Sequence, residues 1–299
     1  MRSPFTLIIL GALAGCAKSS SPVTPVAATE GAGSGDAAAL IEAADALWPE
    51  RADEEKLKEI LDKYQAAFNA DPKNGHVLVR LTRGWYFYGD AFSDDKDTKV
   101  ERWGKALEYG NACIALNDDV ASQLASGNKP ADAIGAAVRD DVGCIYWSAT
   151  ALGKWGKIQS LSKTLKHLPT VKAYVAKAEE LDPTYYHYGP ARYWAAYYSA
   201  LPSFAGQDYE KSASFFDAAI EAAPYYLPTR VLRAEYLAVG TQNVKMFDDD
   251  LAFVIAADPD MNPEAGITAE NIKDIDKAKS LVEKRHELFD RQTIEKAAN

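Results

Sequence analysis

The sequence predicts an all-α fold in which helices follow one another as repeated pairs. Apolar residues recur at spacings of three and four, the period of one helix face, and no stretch alternates apolar and polar residues as a half-buried strand would. A short motif ending in proline also returns at intervals typical of helix pairs. The apolar spacing is clearest at Leu57, Ile60, Leu61, Tyr64, Ala67 and Phe68.

The N-terminus has the pattern of an export signal. Arg2 supplies a positive charge, and the apolar run from Phe5 to Leu13 leads into Leu13-Ala14-Gly15-Cys16. Such a run is typical of a secretory signal peptide and is too short to span a hydrocarbon core of roughly 30 Å. The tetrapeptide resembles the lipobox of bacterial lipoproteins, so we predict a signal peptide over residues 1–15 and lipidation of Cys16. The alternative is an ordinary secreted protein with a chance cysteine.

The residues after the predicted cleavage site suit a tether. Residues 16–36 are rich in Ser, Pro, Thr, Ala and Gly, a composition that cannot bury a core. No Asp follows Cys16 to suggest retention at an inner membrane. We therefore expect a lipid-anchored protein that faces the periplasm, at the outer membrane of a two-membrane bacterium, with one helical domain over residues 37–299.

Proline, glycine and Asn/Asp residues divide that domain into helices. Proline ends helices or occupies their first turn, so these positions predict the joints between helices. The predicted joints are Asp71-Pro72, Gly89, Asn117-Asp118, Gly127, Asp182-Pro183, Gly189-Pro190, Pro202, Pro224, Gly240 and Asp258-Pro259.

Several of these joints share one motif. The intervals are 41 residues from Pro183 to Pro224 and 35 from Pro224 to Pro259, close to the roughly 34 residues of a tetratricopeptide (TPR) helix pair. Small and aromatic residues stand at the expected packing positions before the proline, at Ser212, Phe216, Ala219, Ala178 and Ala67. We predict a TPR-like α-solenoid, the alternative being a plain helical bundle. The copies are FNADP at 68–72, EELDP at 179–183, IEAAP at 220–224, IAADP at 255–259 and the degenerate IALND at 114–118.

Two cysteines remain after the lipidated one. Cys113 and Cys144 could form a disulfide in an oxidising periplasm. Both also stand among apolar neighbours, as two buried thiols in a helical core would. The sequence leaves these two interpretations open, and no CxxC or Cys–His spacing supports a metal site or thiol catalysis.

Composition and motif searches point away from nucleic acid and from catalysis. A formal net charge of −10 disfavours nucleic acid as a partner, and it also disfavours binding to anionic lipid by charge. The sequence has no HExxH, GxSxG or Walker A motif. We therefore expect neither an enzyme nor a bound metal or cofactor. No pair among His76, His167, His187 and His286 has metal-ligand spacing.

Aromatic residues concentrate in three segments, residues 83–90, 144–156 and 185–198. Tyr193 and Tyr197 lie one helical turn apart, so much of that helix's circumference is aromatic. One interpretation is core packing, and the other is a cavity for an apolar or amphipathic ligand, since Tyr and Trp offer apolar faces with one polar group. The candidate cavity residues are Trp85, Trp147, Trp155, Tyr188, Tyr193, Trp194 and Tyr197.

From Cys144 onward the chain resembles the T component (TatT) family associated with TRAP transporters, the tripartite ATP-independent periplasmic systems. The resemblance depends on the order and spacing of several segments, and Ala205-Gly206-Gln207-Asp208 departs from it where a Gly-Gly-Asp turn is expected. The late Leu-x-Asn element appears only as Ile267 to Asn271. The matching segments are residues 146–158, 171–238 and 246–284.

The resemblance implies a periplasmic lipoprotein of TPR-like helices that works beside a TRAP-type substrate-binding protein. It further implies a homo-oligomer, such as a trimer, with a cavity or pore in each subunit and small hydrophobic ligands as cargo. A general TPR-type scaffold or peptide-binding lipoprotein of the envelope is the alternative function. An enzyme would need a perturbed titratable cluster in a cleft, and the sequence indicates none.

Overall fold

The computed structural model describes residues 36–297, and that part of the chain is helical without a strand. None of its helices is long and apolar enough to cross a membrane. The predicted signal peptide, Cys16 and nearly all of the predicted tether lie outside the described residues. The α-helices are α1 Ala37–Leu47, α2 Glu54–Ala70, α3 Gly75–Ala91, α4 Lys96–Ile114, α5 Asp118–Ala125, α6 Pro130–Ala133, α7 Val142–Gln159, α8 Leu161–Leu181, α9 Tyr185–Ala200, α10 Tyr209–Ala222, α11 Pro228–Leu232, α12 Val244–Ala256, α13 Thr268–Glu283, α14 Arg285–Leu288 and α15 Arg291–Ala297.

The helices pack as consecutive antiparallel pairs. Helices α1 and α2, α3 and α4, α7 and α8, and α9 and α10 contact each other, and α12 packs against the π-helix Arg233–Ala238 that continues α11. Each copy of the repeated motif follows or ends the second helix of such a pair, and in four of the five copies a proline follows the last turn. The all-α helical-repeat prediction is therefore confirmed, with α5 and α6 inserted between the second and third pairs.

Side-chain caps define where these helices begin. Asp53, Asn74, Asp95 and Ser160 each accept a hydrogen bond from the backbone N–H three residues further on, at 2.9–3.2 Å. An oxygen in this position satisfies one of the N–H groups that the first turn leaves without a partner, which stabilises a helix by about 1 kcal/mol. The helix starts are thus encoded locally, in residues that precede each apolar pattern.

The predicted small and aromatic positions form the contacts within pairs. Ser212, Phe216 and Ala219 of α10 are all fully buried. Phe216 packs with Ala195 of α9, and the Ser212 hydroxyl donates to the Ala195 carbonyl at 2.8 Å. Small side chains let the two helices approach, and the aromatic ring fills the space between them.

Two predicted joints differ from the structure. Gly89 does not end a helix but lies inside α3, where a Cβ would come within 2.6 Å of the Trp103 indole nitrogen. Its role is to admit that ring. At Gly189-Pro190 the helical path is interrupted earlier, at Tyr186–Tyr188, so Pro190 falls in the first turn after the interruption, where its missing N–H costs no hydrogen bond.

Helix α13 connects the last helix pair with the first two. It packs against α11 and α12 and also against the 3₁₀ turn Trp48–Glu50 that follows α1. Asn271 of α13 accepts from the backbone N–H of Leu227 and donates to the carbonyls of Tyr225 and Pro259, at 3.0–3.1 Å. The array of pairs therefore curves until its C-terminal end lies against its N-terminal end.

Candidate functional site

The contact between the two ends of the array is centred on Glu270 of α13. Its carboxylate pairs with the guanidinium groups of Arg51 and Arg83, and Arg83 Nη2 lies 2.8 Å from Oε1. Arg51 is 1% exposed and Glu270 is 7% exposed. Burial by itself would raise the pKa of Glu270, but Arg83 and Arg51 outweigh that effect and hold the pKa at about 2. The carboxylate is therefore ionised wherever the protein is folded near neutral pH.

Aromatic rings from α3, α7 and α9 surround this ion pair. The Arg83 guanidinium lies 4.5 Å from the ring centre of Tyr186 and 5.3 Å from that of Trp147, and it donates to the Tyr186 hydroxyl at 2.9 Å. Trp147 and Tyr186 pack edge to face with their centres 4.6 Å apart, and Tyr146 lies 5.1 Å from Trp147. Ring faces attract cations, so this cage stabilises the buried arginine.

The backbone that places Tyr186 is left-handed over three consecutive residues. Tyr186, His187 and Tyr188 have φ values of 47°, 56° and 59°. This conformation costs about 1–2 kcal/mol for each non-glycine residue, so the surroundings must impose it. Arg192 does so by donating to the carbonyls of His187, at 2.8 Å, and of Tyr186, at 3.1 Å.

His187 belongs to the same cluster as a neutral side chain. Its ring stacks on Tyr226 with centres 5.2 Å apart and planes 15° apart, and its Nδ1 lies 3.3 Å from the Tyr225 hydroxyl. Burial, with the positive charges of Arg192 and Arg83, lowers the pKa of His187 to about 4. The imidazole is therefore uncharged at neutral pH and contributes an aromatic face.

A second group of charges lies further along the same helices. Asp90 of α3 and Lys154 of α7 are ion-paired at 2.7 Å, and Glu235 of the π-helix and Lys277 of α13 are ion-paired at 2.7 Å. These four side chains keep between 23% and 32% of their surface exposed. Burial opposes the charged form of each side chain, but the opposite charges nearby outweigh it, so the pKa values of Asp90 and Glu235 are lowered and those of Lys154 and Lys277 are raised.

The two ion pairs bring partly exposed charged side chains of α3, α7, the π-helix and α13 together. We name this region the charged cleft. Its wall also carries Tyr86 and Tyr193, and burial raises the pKa of both hydroxyls. The Tyr193 hydroxyl fits against α7 because position 153 is glycine, where a Cβ would lie 2.2 Å from it. The cleft is lined by Tyr86, Asp90, Lys154, Tyr193, Glu235, Asp274 and Lys277.

The structure brings some of the predicted aromatic residues to this region and places others elsewhere. Trp147 lies in the cage, Tyr193 in the cleft wall, and Tyr188 beside Tyr226. Trp194 is buried and donates to Glu179 at 2.8 Å, with Tyr197 packed edge to face on it at 5.4 Å. These two residues serve helix packing between α8 and α9.

Trp85 and Trp155 also lie outside the cage. The Trp85 ring contacts Tyr88, with centres 5.8 Å apart, and lies 4.5 Å from the Lys105 amine. Trp155 contacts His167 of α8 at 5.6 Å. Residues from two of the three aromatic-rich segments, 144–156 and 185–198, meet around Arg83. A high density of aromatic residues in the sequence therefore does not by itself identify the site.

The charged residues of the site are missing from the sequence prediction. A signal for them exists in the spacing of Glu270, Asp274 and Lys277, which share one face of α13 as positions i, i+4 and i+7. Arg83, Tyr86 and Asp90 of α3 share a face in the same way. Spacing identifies such a polar face but does not say that another helix will cover it.

Cys113 of α4 and Cys144 of α7 are joined by a disulfide in this structure. Their Cα atoms are 5.4 Å apart, and both residues are at most 5% exposed. The bond connects the second and third helix pairs across the inserted helices α5 and α6. It lies in the core next to the aromatic cage, since Tyr146 and Trp147 follow Cys144 on α7.

A groove on the outer surface differs from the cleft in its lining. It has a volume of about 540 Å³, lies over α1 and α2, and contains no aromatic residue. The described residues hold no group of His, Cys, Asp and Glu side chains that could bind a metal ion. The groove is lined by Leu40, Glu55, Lys58, Glu59, Asp62, Lys63 and Ala66.

Comparison with known proteins gives one family. The chain matches the model of the family described as TRAP transporter T-component over residues 54–289. The matched residues run from the start of α2 to the end of α14, and they include the aromatic rings around Arg83 and the residues of the charged cleft. No curated protein matches the chain.

Proposed function

The chain belongs to the TRAP transporter T-component family, and we propose from this that it is an accessory lipoprotein of a TRAP-type uptake system. In this role it docks the system's periplasmic substrate-binding protein and binds or passes a small hydrophobic ligand. A T-component is a part of a transporter, so the proposal assigns no catalytic step to the chain. The observation that carries the ligand part is the group of charged and tyrosine side chains that α3, α7, α9, the π-helix and α13 bring together in the charged cleft.

The charged and partly exposed lining supports a ligand site better than a closed core. Charged groups are costly away from water, so a closed core carries few of them. Here Asp90, Lys154, Glu235 and Lys277 retain partial exposure next to the tyrosine side chains of the wall. Wide apolar rings beside a few fixed charges are the lining that small-molecule sites commonly use.

The membrane anchor is the second part of the proposal. Export and acylation at Cys16 would hold the helical domain in the periplasm, at the outer membrane, where a diffusing substrate-binding protein can reach it. Residues 16–36 would supply the distance between lipid and domain. A homo-oligomer, such as a trimer, is the assembly that we propose, and mass measurement of the detergent-solubilised lipoprotein tests it.

Co-purification tests the docking role. The full-length lipoprotein, expressed in its own host with an affinity tag at the C-terminus, should retain a TRAP-type substrate-binding protein. A tagged outer-membrane lipoprotein without a TPR-like domain is the control for capture by the membrane. If the tagged lipoprotein is repeatedly recovered without a TRAP-type substrate-binding protein, the result would favour the alternative function, a general TPR-type scaffold or peptide-binding lipoprotein.

Paired alanine variants test whether the aromatic residues serve a ligand. Trp147→Ala and Tyr193→Ala change the cage and the cleft wall, whereas Trp155→Ala and Tyr197→Ala change helix packing elsewhere. Removing any buried aromatic costs up to about 3–5 kcal/mol of stability. The proposal requires the first pair to weaken ligand binding beyond what equal destabilisation by the second pair produces. Equal effects in both pairs would mean that all four are only core residues.

A further inference from the structure

Helix α8 belongs to a part of the chain in which positive charge is concentrated. Residues 142–178, from the start of α7 to the last turns of α8, contain six lysines and no Asp or Glu, whereas the whole chain has a formal net charge of −10. Such a run marks either a solvated face or a surface for a partner of opposite charge. The contacts of the six lysines show which of them are available to a partner.

Three of the six lysines, Lys163, Lys166 and Lys172 of α8, form no ion pair with any side chain that the structure describes. Their charge acts on the surroundings, because burial and then Lys166 and Lys163 lower the pKa of His167. The other lysines are engaged: Lys154 pairs with Asp90, Lys177 pairs with Glu180, and Lys157 donates to the Tyr236 hydroxyl.

These three lysines border an apolar strip on the outer side of α8. Lys163 lies on the flank toward α7, with its Nζ 5.9 Å from the centre of the Trp155 ring, and Lys172 lies on the flank toward α9, 6.0 Å from that of Tyr197. The strip consists of exposed residues that recur after four, four and seven positions, which is one face of a helix: Leu161 (51% exposed), Leu165 (36%), Pro169 and Ala176. We name the strip with its three lysines the basic face of α8. An apolar centre with a charged rim is the usual anatomy of a protein interface.

Carboxylates on the elements beside this face are held by other partners. Within the described part of the chain, Glu180 pairs with Lys177, Asp208 pairs with Lys211, and Glu179 accepts from the Trp194 indole. These acids therefore do not supply the counter-charge of the basic face.

Exposed acids do stand near the first turn of α8. Helix α4 begins beside the end of α7, because Lys96 donates to the Gln159 carbonyl at 3.3 Å, and Asp94, Asp95 and Asp97 are exposed at that start. A flat anionic membrane laid on α8 would approach these acids as well, and charges interact over a Debye length of roughly 8–10 Å. A protein partner can contact the basic face alone, so the arrangement favours a protein.

The same charges disfavour a twofold contact between two copies of this chain. Such an interface places the same surface on both sides, so lysines would face lysines. The partner that complements this face carries Asp and Glu side chains around an apolar patch.

We propose that the basic face of α8 is the surface that docks the TRAP-type substrate-binding protein, through an acidic surface of that protein. The proposal rests on the docking part of the proposed function and adds to it the place and the charge of the contact. Complementary charges on the rim of an interface mainly speed association. This suits a partner that must bind and leave repeatedly.

A triple charge reversal tests the proposal. The full-length lipoprotein, solubilised in detergent, is immobilised through its C-terminal tag, and the substrate-binding protein that co-purifies with the wild type is applied in biolayer interferometry. Lys163→Glu/Lys166→Glu/Lys172→Glu should bind it roughly tenfold more weakly than the wild type at 50 mM NaCl. Wild-type affinity should fall toward that of the variant at 300 mM NaCl, because salt screens exposed charges.

Two further variants separate charge from other effects. Lys73→Glu/Lys245→Glu/Lys284→Glu is the matched control, since it reverses three exposed lysines outside α8 and changes the net charge by the same amount. It should bind as the wild type does. Leu165→Ser keeps the three charges and removes apolar contact, so it should speed dissociation and leave the salt dependence unchanged.

The outcomes separate this proposal from the function on which it rests. If the wild type retains no substrate-binding protein, the docking role fails and the surface fails with it. If the α8 variant and the matched control bind equally well, the docking role stands and the basic face is not its site.

Two results would assign the face to another occupant and overturn the proposal. One is a lower oligomer mass of the α8 variant than of the matched control, which would place the face between copies of the chain. The other is sedimentation of the unanchored Cys16→Ser protein with vesicles of phosphatidylethanolamine and phosphatidylglycerol that the α8 reversal abolishes, which would make the occupant a membrane.

Discussion

Arg83 of α3 donates a hydrogen bond to Glu270 of α13 at 2.8 Å, although 187 positions of sequence separate the two residues. The same carboxylate pairs with Arg51, so two buried cations of the first helix pairs depend on one anion from α13. The closure of the array therefore depends on a single buried salt-bridged cluster.

Replacing Glu270 by alanine should strongly destabilise the protein. The change leaves two buried guanidinium groups with no counter-charge, which typically costs about 3–5 kcal/mol. Urea unfolding of the wild type and Glu270→Ala measures the difference. Asp249→Asn, which removes an exposed pair with Lys245, is the control and should leave the midpoint unchanged. Equal midpoints for all three proteins would contradict the importance assigned to the cluster.

Asp274 should make stability fall as the pH rises from about 4 to 7. Its pKa is about 7 in the folded protein against an ordinary value of 3.8, so over this range the folded state binds the proton and the unfolded state does not. The cost of ionising this partly buried carboxyl is fully present above pH 7. The stability of Asp274→Asn relative to the wild type should accordingly increase with pH. A constant difference between the two proteins from pH 4.5 to pH 8 would sink this prediction.

Glu270 should have the opposite effect at lower pH. Its folded pKa of about 2 lies below the ordinary value of 4.5, so its contribution is present above pH 4.5 and is lost as the pH falls toward 2. Unfolding of the wild type and Glu270→Ala between pH 2.5 and pH 5.5 measures it. The difference between them should shrink with acidification, and one that grows instead would reverse the assigned sign.

Gly189→Ala should destabilise the protein by about 1–3 kcal/mol through overpacking. A Cβ at this position would come within 2.6 Å of the Tyr146 ring, which is itself fixed between Trp147 and Tyr185. Thermal unfolding is the measurement. Gly135→Ala is the matched control, since nothing lies within 4 Å of the new methyl group there. A tolerated Gly189→Ala would mean that Tyr146 moves freely, contrary to its packing.

The Cys113–Cys144 bond should contribute roughly 3–4 kcal/mol, because it closes a loop over a sequence separation of 31 residues. The Cys16→Ser variant has only these two cysteines, so alkylation of the denatured, unreduced protein should label none. Cys113→Ala/Cys144→Ala in the same background gives the stability difference. Two labelled thiols in protein isolated from the periplasm would show that the bond does not form.

Cys16→Ser should also abolish acyl labelling and release the protein from the membrane, because serine cannot form the thioether. Labelled fatty acid and membrane fractionation measure the two effects. An acylated, membrane-bound variant would falsify the lipid anchor.

Much of the fold could be predicted because it depends on interactions between residues that are close in sequence. The prolines at 72, 183, 224 and 259 follow second helices of pairs, and Phe216 fills the contact between α9 and α10, since both depend on neighbouring turns. The turn at Tyr186–Tyr188 could not be foreseen, because no glycine marks it and Arg192 imposes it from a later turn. Helical spacing indicates a polar face at Glu270 and Asp274, but only the three-dimensional path of the chain reveals what that face meets.

The contact of Glu270 with Arg51 also bears on how the protein unfolds. An open array of helix pairs can fray from either end, because each pair is held mainly by its neighbours. Here α13 packs on the last pair and is ion-paired with Arg51 of the first, so the two ends of the array are linked through it and stepwise loss from either end is disfavoured. Unfolding should therefore proceed as one cooperative transition, and deletion of α13 should convert it into a broad one in which the separate pairs melt at different temperatures.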